Sequence, residues 1–279
     1  MSAVWLPTAP CTPAGCVDPA RTGAAAVRAV LRLTALAALL LAGIAASPLG
    51  GRVPDAVIRR WARTTVRAAG VRVRITGAAV DRGGVLLVAP HVSWLDIPLL
   101  AAVRPARMLA KAEIAGWPLA GRLAARGGAL FIDRDRVRTL PGTVAVLARA
   151  LRAGTAVTVF PEGTTWCGRA HGPFRRAAFQ AALDAGAPVQ PVRITYSRPD
   201  GHPATAPAFV GDDTLLASLW RVLTARGVTA EVEIRPPVPA GAHADRRALA
   251  GAAEAACAAG GGPDPHPAHH HRPRTAHLT

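Results

Sequence analysis

The sequence predicts an α/β fold in which a mixed, largely parallel sheet is flanked by helices. Short apolar runs at 85–89, 129–132 and 156–160 are typical of strands that are buried on both faces. Segments with helical spacing of apolar residues separate these runs, as in 139–153. Regular alternation of the two kinds of element favours parallel strands joined by helices. An apolar segment ahead of this domain predicts one N-terminal membrane-associated helix.

The 279 residues are enough for one large domain with appendages. Residues 1–23 are polar and proline-rich, which predicts a disordered leader. Residues 24–69 form the predicted membrane-associated helical segment, and residues 70–240 form the α/β domain. Residues 241–279 are expected to begin with a helix and to end in a disordered tail rich in histidine and proline.

The apolar segment is short for a membrane span. Its uncharged part, 33–47, has 15 residues and would make a helix of about 22 Å, whereas the hydrocarbon core is about 30 Å thick. Adding Arg28 and Arg32 gives adequate length, with two charges that have to reach the membrane surface. We therefore expect a helix that inserts into or barely crosses the bilayer. The alternatives are a signal peptide cleaved near 45–47 and a buried helix of a soluble domain.

The formal net charge of +16 is carried almost wholly by arginine. Such a charge suits an anionic membrane surface, the phosphates of a coenzyme or acyl carrier, or nucleic acid. Aromatic residues make up only 4% of the chain, so a stacking platform for nucleic acid is not expected. The four cysteines contain no Cys-x-x-Cys pair, which indicates a reducing compartment without a disulfide framework.

Polar residues follow the strand 85–89, where sites of α/β proteins usually lie. His91 and Asp96 are five residues apart, and positions with that spacing point about 140° apart on an ideal helix. A contact therefore requires His91 in the turn and Asp96 reaching back from the first helical turn, with Ser93 as a helix cap. The carboxylate would then orient the imidazole as a general base. The alternative is a purely structural histidine and aspartate.

Two further polar turns follow predicted strands. One contains Arg134 after 129–132, and the other contains Glu162, Gly163 and Thr164 after 156–160. Because the ends of parallel strands share one edge of a sheet, we expect the three turns to converge. A base, a fixed cation and a glycine-rich turn suit a substrate with a hydroxyl to deprotonate and an anionic head to bind. No serine or cysteine is clearly paired with the base as a nucleophile.

Four segments of the sequence together resemble a known family. They are His91-Val-Ser-Trp-Leu-Asp96, Phe131-Ile-Asp-Arg134, Phe160-Pro-Glu-Gly-Thr164 and Val189-Gln-Pro-Val192. In order and spacing they match the four blocks of the PlsC-type glycerolipid acyltransferases, the lysophosphatidate acyltransferases. The resemblance covers roughly residues 70–197. A single block is a weak signal, whereas four in order, each at a predicted strand end, are a strong one.

The resemblance implies a role for each matched residue. His91 would be the general base, Asp96 its orienting partner, and Arg134 the ligand of the acceptor's phosphate, with Glu162, Gly163 and Thr164 completing that site. Pro191 would lie along the acyl or acceptor groove. Acyl-CoA or acyl-carrier protein would be the donor, as a co-substrate, and neither a cofactor nor a metal is expected.

The implied reaction moves an acyl group directly to the free hydroxyl of 1-acyl-sn-glycerol-3-phosphate, giving phosphatidic acid without an acyl-enzyme. The expected location is the cell membrane, with the catalytic domain on the cytoplasmic side. The expected partners are the acceptor, the donor and the membrane surface, and not nucleic acid.

Thr165-Trp166-Cys167 stands where many members have an arginine and a serine. Another acceptor, a lyso-ornithine lipid or a lysophospholipid, therefore stays open. A basic membrane- or nucleic-acid-binding protein is the non-enzymatic alternative, and it leaves the order of the four segments to coincidence.

Overall fold

The computed structural model describes residues 7–19, 25–116, 121, 125–132 and 137–259. Within these residues seven strands form one sheet in the order β1-β7-β6-β2-β5-β3-β4. All neighbouring strands are parallel except β6 and β7, which are antiparallel. The predicted mixed, largely parallel sheet is confirmed. The strands are β1 (Arg72–Thr76), β2 (Val85–Val88), β3 (Arg107–Lys111), β4 (Leu130–Ile132), β5 (Ala156–Val159), β6 (Val189–Ser197) and β7 (Thr229–Ile234).

Helices cover both faces of this sheet. They are α1 (Pro13–Cys16), α2 (Ala25–Ala46), α3 (Asp55–Ala68), α4 (Asp96–Val103), α5 (Ala112–Ala115), α6 (Leu140–Arg152), α7 (Ala177–Ala185), α8 (Leu215–Thr224) and α9 (Arg246–Ala258). One apolar cluster joins the sheet to α3, α4 and α8. A second cluster joins its other face to α6, α7 and α9. The chain is therefore a three-layer sandwich, helix on sheet on helix.

Strand β2 is the central element of the sandwich, as its unbroken apolar run predicts. It pairs with β5 on one side and β6 on the other, and all four of its residues are fully buried. Val85 and Leu87 belong to the first apolar cluster and Leu86 and Val88 to the second. Burying a valine or leucine side chain contributes about 1.5–3 kcal/mol. Both faces of β2 therefore anchor the turn that follows it.

Pro191 lies in an interior strand. A proline in a strand favours an edge position or a bulge; β6 lies between β2 and β7, so the edge is excluded and the bulge remains. Pro191 is the last residue of β6 to face β2. The pairing on the β7 side of Pro191 is irregular. Between the pairs Val192–Ile234 and Val189–Val238, two residues of β6 lie opposite three residues of the chain that follows β7. This bulge accommodates the missing N–H.

The leader differs from the disordered segment that its composition predicts. Residues 7–19 include α1, and the Asp18 N–H donates to Thr205 Oγ1 at 2.9 Å. The Asp18 carboxylate lies 3.8 Å from the Arg198 guanidinium, and the Cys11 side chain is buried. These contacts come from residues more than 150 positions away, so a search for local apolar periodicity cannot find them. The rest of the predicted leader and the tail 260–279 lie outside the described residues.

Helix α2 has the length and composition to cross a membrane, and almost none of it is buried. Val27, Leu31 and Leu41 are each at least 65% exposed. That exposure does not fit a helix in the core of a soluble domain. It indicates membrane association.

The two arginines of α2 do not have to reach the membrane surface. Arg28 Nη2 donates to the Thr224 carbonyl at 3.1 Å. Arg32 Nη1 donates to the carbonyls of Leu223 and Ala225 at 2.7 and 2.8 Å. These carbonyls end α8, where a helix lacks internal partners and carries partial negative charge. Arg28 and Arg32 therefore fasten α2 to the α/β domain.

We expect the full-length chain to remain with the membrane fraction at high salt, because burial of apolar side chains is not screened by ions. Replacing Leu31 and Leu41 with glutamate should release it, whereas Val146→Glu, on α6, should not. Sedimentation of washed membranes measures both. A wild-type chain that low-salt buffer extracts without detergent would contradict this expectation. A mature chain that begins after residue 47 would support the signal-peptide alternative.

Candidate active site

The turn between β2 and α4 brings His91 and Asp96 together. Asp96 is the first residue of α4, and its Oδ2 lies 2.9 Å from His91 Nδ1. This is the geometry that the five-residue spacing requires. The His91 side chain is 20% exposed, whereas the Asp96 side chain is fully buried. With Nδ1 facing the carboxylate, Nε2 is the imidazole nitrogen that can exchange a proton with a substrate.

The Asp96 carboxylate is held by donors from three directions. Oδ2 also accepts the backbone N–H groups of Val92 and Ser93, at 2.7 and 2.8 Å. Oδ1 accepts the hydroxyl of Tyr196, at 2.6 Å, from the end of β6. Complete burial is the main cause that raises the pKa of Tyr196 well above its ordinary value, and the neighbouring Asp96 charge raises it further. Tyr196 therefore stays a protonated donor.

Ser93 is not the cap of α4. The helix begins at Asp96 with Leu95 before it and has no side-chain cap. Asp96 itself binds the N–H groups that precede the helix, so the chain makes a tight turn first. Ser93 Oγ accepts the Leu95 N–H at 3.2 Å within that turn and is fully buried.

The loop after β5 holds His91 from the opposite side. The Phe160 ring stacks on the imidazole, with centroids 3.8 Å apart and planes 8° apart. Glu162 Oε2 accepts the backbone N–H of His91 at 2.7 Å, and the Trp166 N–H donates to the His91 carbonyl at 2.8 Å. The imidazole is therefore fixed by its ring, its backbone and its Nδ1.

Glu162 is a second buried carboxylate, only 3% exposed. Its Oε1 accepts the Gly172 N–H at 2.8 Å, so each oxygen has a backbone donor. Burial raises its pKa from 4.5 to about 7, although the N–H groups of His91 and Gly172 oppose the shift and the Asp96 charge adds to it.

The other predicted site residues are Gly163, Thr164 and Arg134, and the structure describes the first two. The Gly163 N–H donates to the Phe160 carbonyl at 3.1 Å, and Gly163 has a φ of 77°, a conformation that favours glycine. Thr164, the next residue, is half-buried. Arg134 lies outside the described residues. The His91–Glu162 hydrogen bond joins the turns after β2 and β5, whereas the turn after β4, 133–136, lies outside the described residues.

Sequence reasoning missed the stacking of Phe160 and the role of Tyr196. A signal for Tyr196 was available, because it is the single tyrosine of the chain and falls near the end of a predicted strand.

The fourth matched segment also has a structural task. Gln190 is fully buried; its Oε1 accepts the Val80 N–H at 2.8 Å and its Nε2 donates to the Ala78 carbonyl at 3.0 Å. It fixes the chain that leads into β2.

Comparisons with known proteins identify the family of the chain. Residues 70–195 match the family model described as Acyltransferase. The lyso-ornithine lipid O-acyltransferase of Pseudomonas aeruginosa is 40% identical over 233 residues, which cover 80% of this chain and 88% of that protein. The chain belongs to the acyltransferase family, among the enzymes of lyso-lipid acylation.

Further similar relatives are named for one or the other of two acceptors. The 1-acyl-sn-glycerol-3-phosphate acyltransferase of Neisseria gonorrhoeae is 37% identical over 166 residues, 60% of this chain and 65% of that protein. The lyso-ornithine lipid O-acyltransferase of Rhodobacter capsulatus is 34% identical over 247 residues, 82% of this chain and 88% of that protein.

A solved structure shows the same fold. The 1-acyl-sn-glycerophosphate acyltransferase PlsC from Thermotoga maritima has a TM-score of 0.62 and 18% identity, covering 84% of this chain and 93% of that chain.

Tyr196→Phe should lower kcat about tenfold and leave the acceptor KM nearly unchanged. The change removes the donor to Asp96 Oδ1, and a hydrogen bond to a charged group contributes about 1.5–3 kcal/mol. Steady-state kinetics of acyl transfer, together with thermal unfolding to confirm folding, measure the effect. A kcat equal to that of the wild type would show that His91 does not need this support.

The stability contributed by Glu162 should fall with rising pH. Its pKa is about 7 in the folded chain against 4.5 as the ordinary value, so the folded state binds the proton more tightly than the unfolded state. The free energy of unfolding, relative to the non-titrating Glu162→Gln variant, should therefore drop by roughly 2–4 kcal/mol between these values. Denaturant titrations in detergent between about pH 4 and pH 8 measure it. A difference independent of pH would contradict the raised pKa.

Proposed function

We propose that the chain transfers an acyl group from a thioester donor to the free hydroxyl of a lyso-lipid. The observation that carries the proposal is the His91–Asp96 pair, with Nδ1 on a buried carboxylate and Nε2 left for the substrate. Nε2 takes the hydroxyl proton as the oxygen attacks the thioester carbonyl. The thiolate then leaves and receives that proton back from the imidazolium.

Two features support direct transfer without an acyl-enzyme. Ser93, the hydroxyl residue nearest to His91 in the sequence, is fully buried and hydrogen-bonded to the backbone. Cys167, beside the Glu162 turn, is also buried. Neither side chain is available to a thioester in solution.

We propose a lyso-ornithine lipid as the acceptor, with 1-acyl-sn-glycerol-3-phosphate as the second candidate. Two relatives named for lyso-ornithine lipid match 80% and 82% of this chain, whereas the gonococcal relative named for the phosphate acceptor matches 60%. Residues 165–168 also carry no charged side chain, and many members place an arginine there. An amino-acid head group has less need of that cation than a phosphate.

The head-group site is proposed from the family resemblance. Arg134 would bind the anionic group, since a guanidinium pairs with a carboxylate or a phosphate through two parallel hydrogen bonds. Gly163 and Thr164 would complete the site. We propose that Glu162 acts indirectly, by holding the turn that carries His91, because both of its carboxylate oxygens already accept backbone N–H groups.

The reaction is proposed to take place at the membrane surface, with the catalytic domain on the cytoplasmic side. Helix α2 would be inserted, and Leu216 and Trp220 of α8, which α2 contacts, are 78% and 41% exposed. The donor would be acyl-CoA or acyl-carrier protein, whose phosphates suit a chain of net charge +16.

A panel of acceptors tests the proposal. The full chain in detergent, given one acyl-CoA and one acyl-carrier protein, is assayed with lyso-ornithine lipid, lysophosphatidate and lysophosphatidylcholine by mass spectrometry of the product. We expect the highest kcat/KM with lyso-ornithine lipid. A higher value with lysophosphatidate would establish the second candidate instead.

His91→Ala and Asp96→Asn should each lose about three to four orders of magnitude in kcat, as an unoriented or missing base does elsewhere. His202→Ala, at an exposed histidine, is the matched control and should keep full activity. If either site variant turned over within a few-fold of the wild type, the proposed base would be excluded.

A further inference from the structure

Three thiols that the acyl-transfer reaction does not use lie together beside the site. Cys11 and Cys16 come from the leader, and Cys167 follows Trp166 in the loop after β5. Their sulfur atoms all lie within 4.8 Å of one another. Cys11 and Cys167 are each 5% exposed, Cys16 is half-buried, and all three are free. We call them the three-thiol cluster.

We propose that the three-thiol cluster binds one Zn²⁺ ion. Thiolate sulfur is a preferred ligand of Zn²⁺, at about 2.3 Å, and three sulfurs on a tetrahedron of that size lie about 3.8 Å apart. The sulfurs of the cluster therefore have to approach one another by at most about 1 Å, which rotation about the cysteine Cα–Cβ bonds supplies. Cys16 leaves one side open to solvent, where water provides the fourth ligand.

Packing alone does not account for the cluster. Cys257 illustrates a cysteine that serves only as a small buried side chain, with its sulfur 3.8 Å from the Val192 carbonyl and 4.0 Å from the Val88 carbonyl. The three-thiol cluster instead joins two segments more than 150 residues apart. One of them, the leader, has too little apolar patterning to predict packing against the domain.

The charge of the site also suits a bound cation. Three thiolates and Zn²⁺ carry a net charge of −1, within a chain whose net charge is +16. Metal binding replaces the thiol protons. We propose a structural ion and not a catalytic one, because none of its three ligands belongs to the His91–Asp96 pair.

The position of Cys167 gives the ion a structural consequence. The preceding residue, Trp166, donates its N–H to the His91 carbonyl at 2.8 Å. An ion bound by Cys167 and the leader would therefore hold both the leader and the loop that supports His91. The proposal does not depend on which acceptor the enzyme uses, or on acyl transfer itself.

Metal titration of the full chain tests this site. The protein is purified in detergent with a phosphine reductant, stripped with a chelator and titrated with Cd²⁺ as the spectroscopic probe. We expect one Cd²⁺ per chain with the ultraviolet charge-transfer absorption of thiolate ligands, and the displacement of previously bound Zn²⁺ by Cd²⁺. Elemental analysis of protein purified without a chelator should give one Zn²⁺ per chain.

Single replacements identify the ligands. Cys16→Ser, at the half-buried position, and Cys11→Ser should lose the charge-transfer band, while Cys257→Ser, at a buried thiol elsewhere, should keep it. Limited proteolysis of the wild type should show the leader protected only when Zn²⁺ is present. Thermal unfolding of each metal-free variant confirms that the domain is folded.

Three results would overturn the proposal. They are a wild-type chain that binds no Cd²⁺, a band that Cys257→Ser removes as fully as Cys16→Ser does, and an intact mass that shows a disulfide between two of the three cysteines under reducing purification.

Discussion

The buried carboxylate of Asp96 is the interaction on which the rest of the site depends. An ionised group without water is tolerated only where donors surround it. Here the donors are the backbone of the β2–α4 turn, the tyrosine at the end of β6 and the imidazole itself. Satisfying one carboxylate therefore sets the relative positions of two neighbouring strands and a helix. The same hydrogen bonds orient the imidazole that we propose as the base, so folding also sets the geometry proposed for catalysis.

Glu162 performs the complementary task from β5. It binds the backbone of His91 rather than its ring, and Phe160 covers the ring face. The histidine is thus held between two carboxylates in different surroundings. Burial raises the pKa of Glu162 to about 7, so this carboxyl group is only partly ionised near neutrality. Because the two carboxylates differ in surroundings, Asp96 can orient the imidazole while Glu162 fixes the backbone of the turn.

Much of the fold follows from local signals. The apolar runs locate β2 and β5 within a residue of their observed ends, and the spacing of His91 and Asp96 correctly requires a turn followed by a helix start. What the sequence could not predict depends on distant partners. The presence of Pro191 allows an edge position or a bulge, and only the pairing of β6 with β7 decides for the bulge. The leader packs because Asp18 contacts Thr205 and Arg198. Periodicity describes one element at a time, whereas these contacts join elements that are far apart in the chain.

The attachment of α2 through Arg28 and Arg32 bears on how the enzyme works at a bilayer. A catalytic domain on a flexible tether samples many heights and orientations above the lipid. Here the guanidinium groups bind the carbonyls that end α8, so the proposed insertion of α2 would also set the height of His91 above the lipid. The lipid would then reach the site by lateral diffusion, and the thickness of the bilayer would become part of the enzyme's geometry.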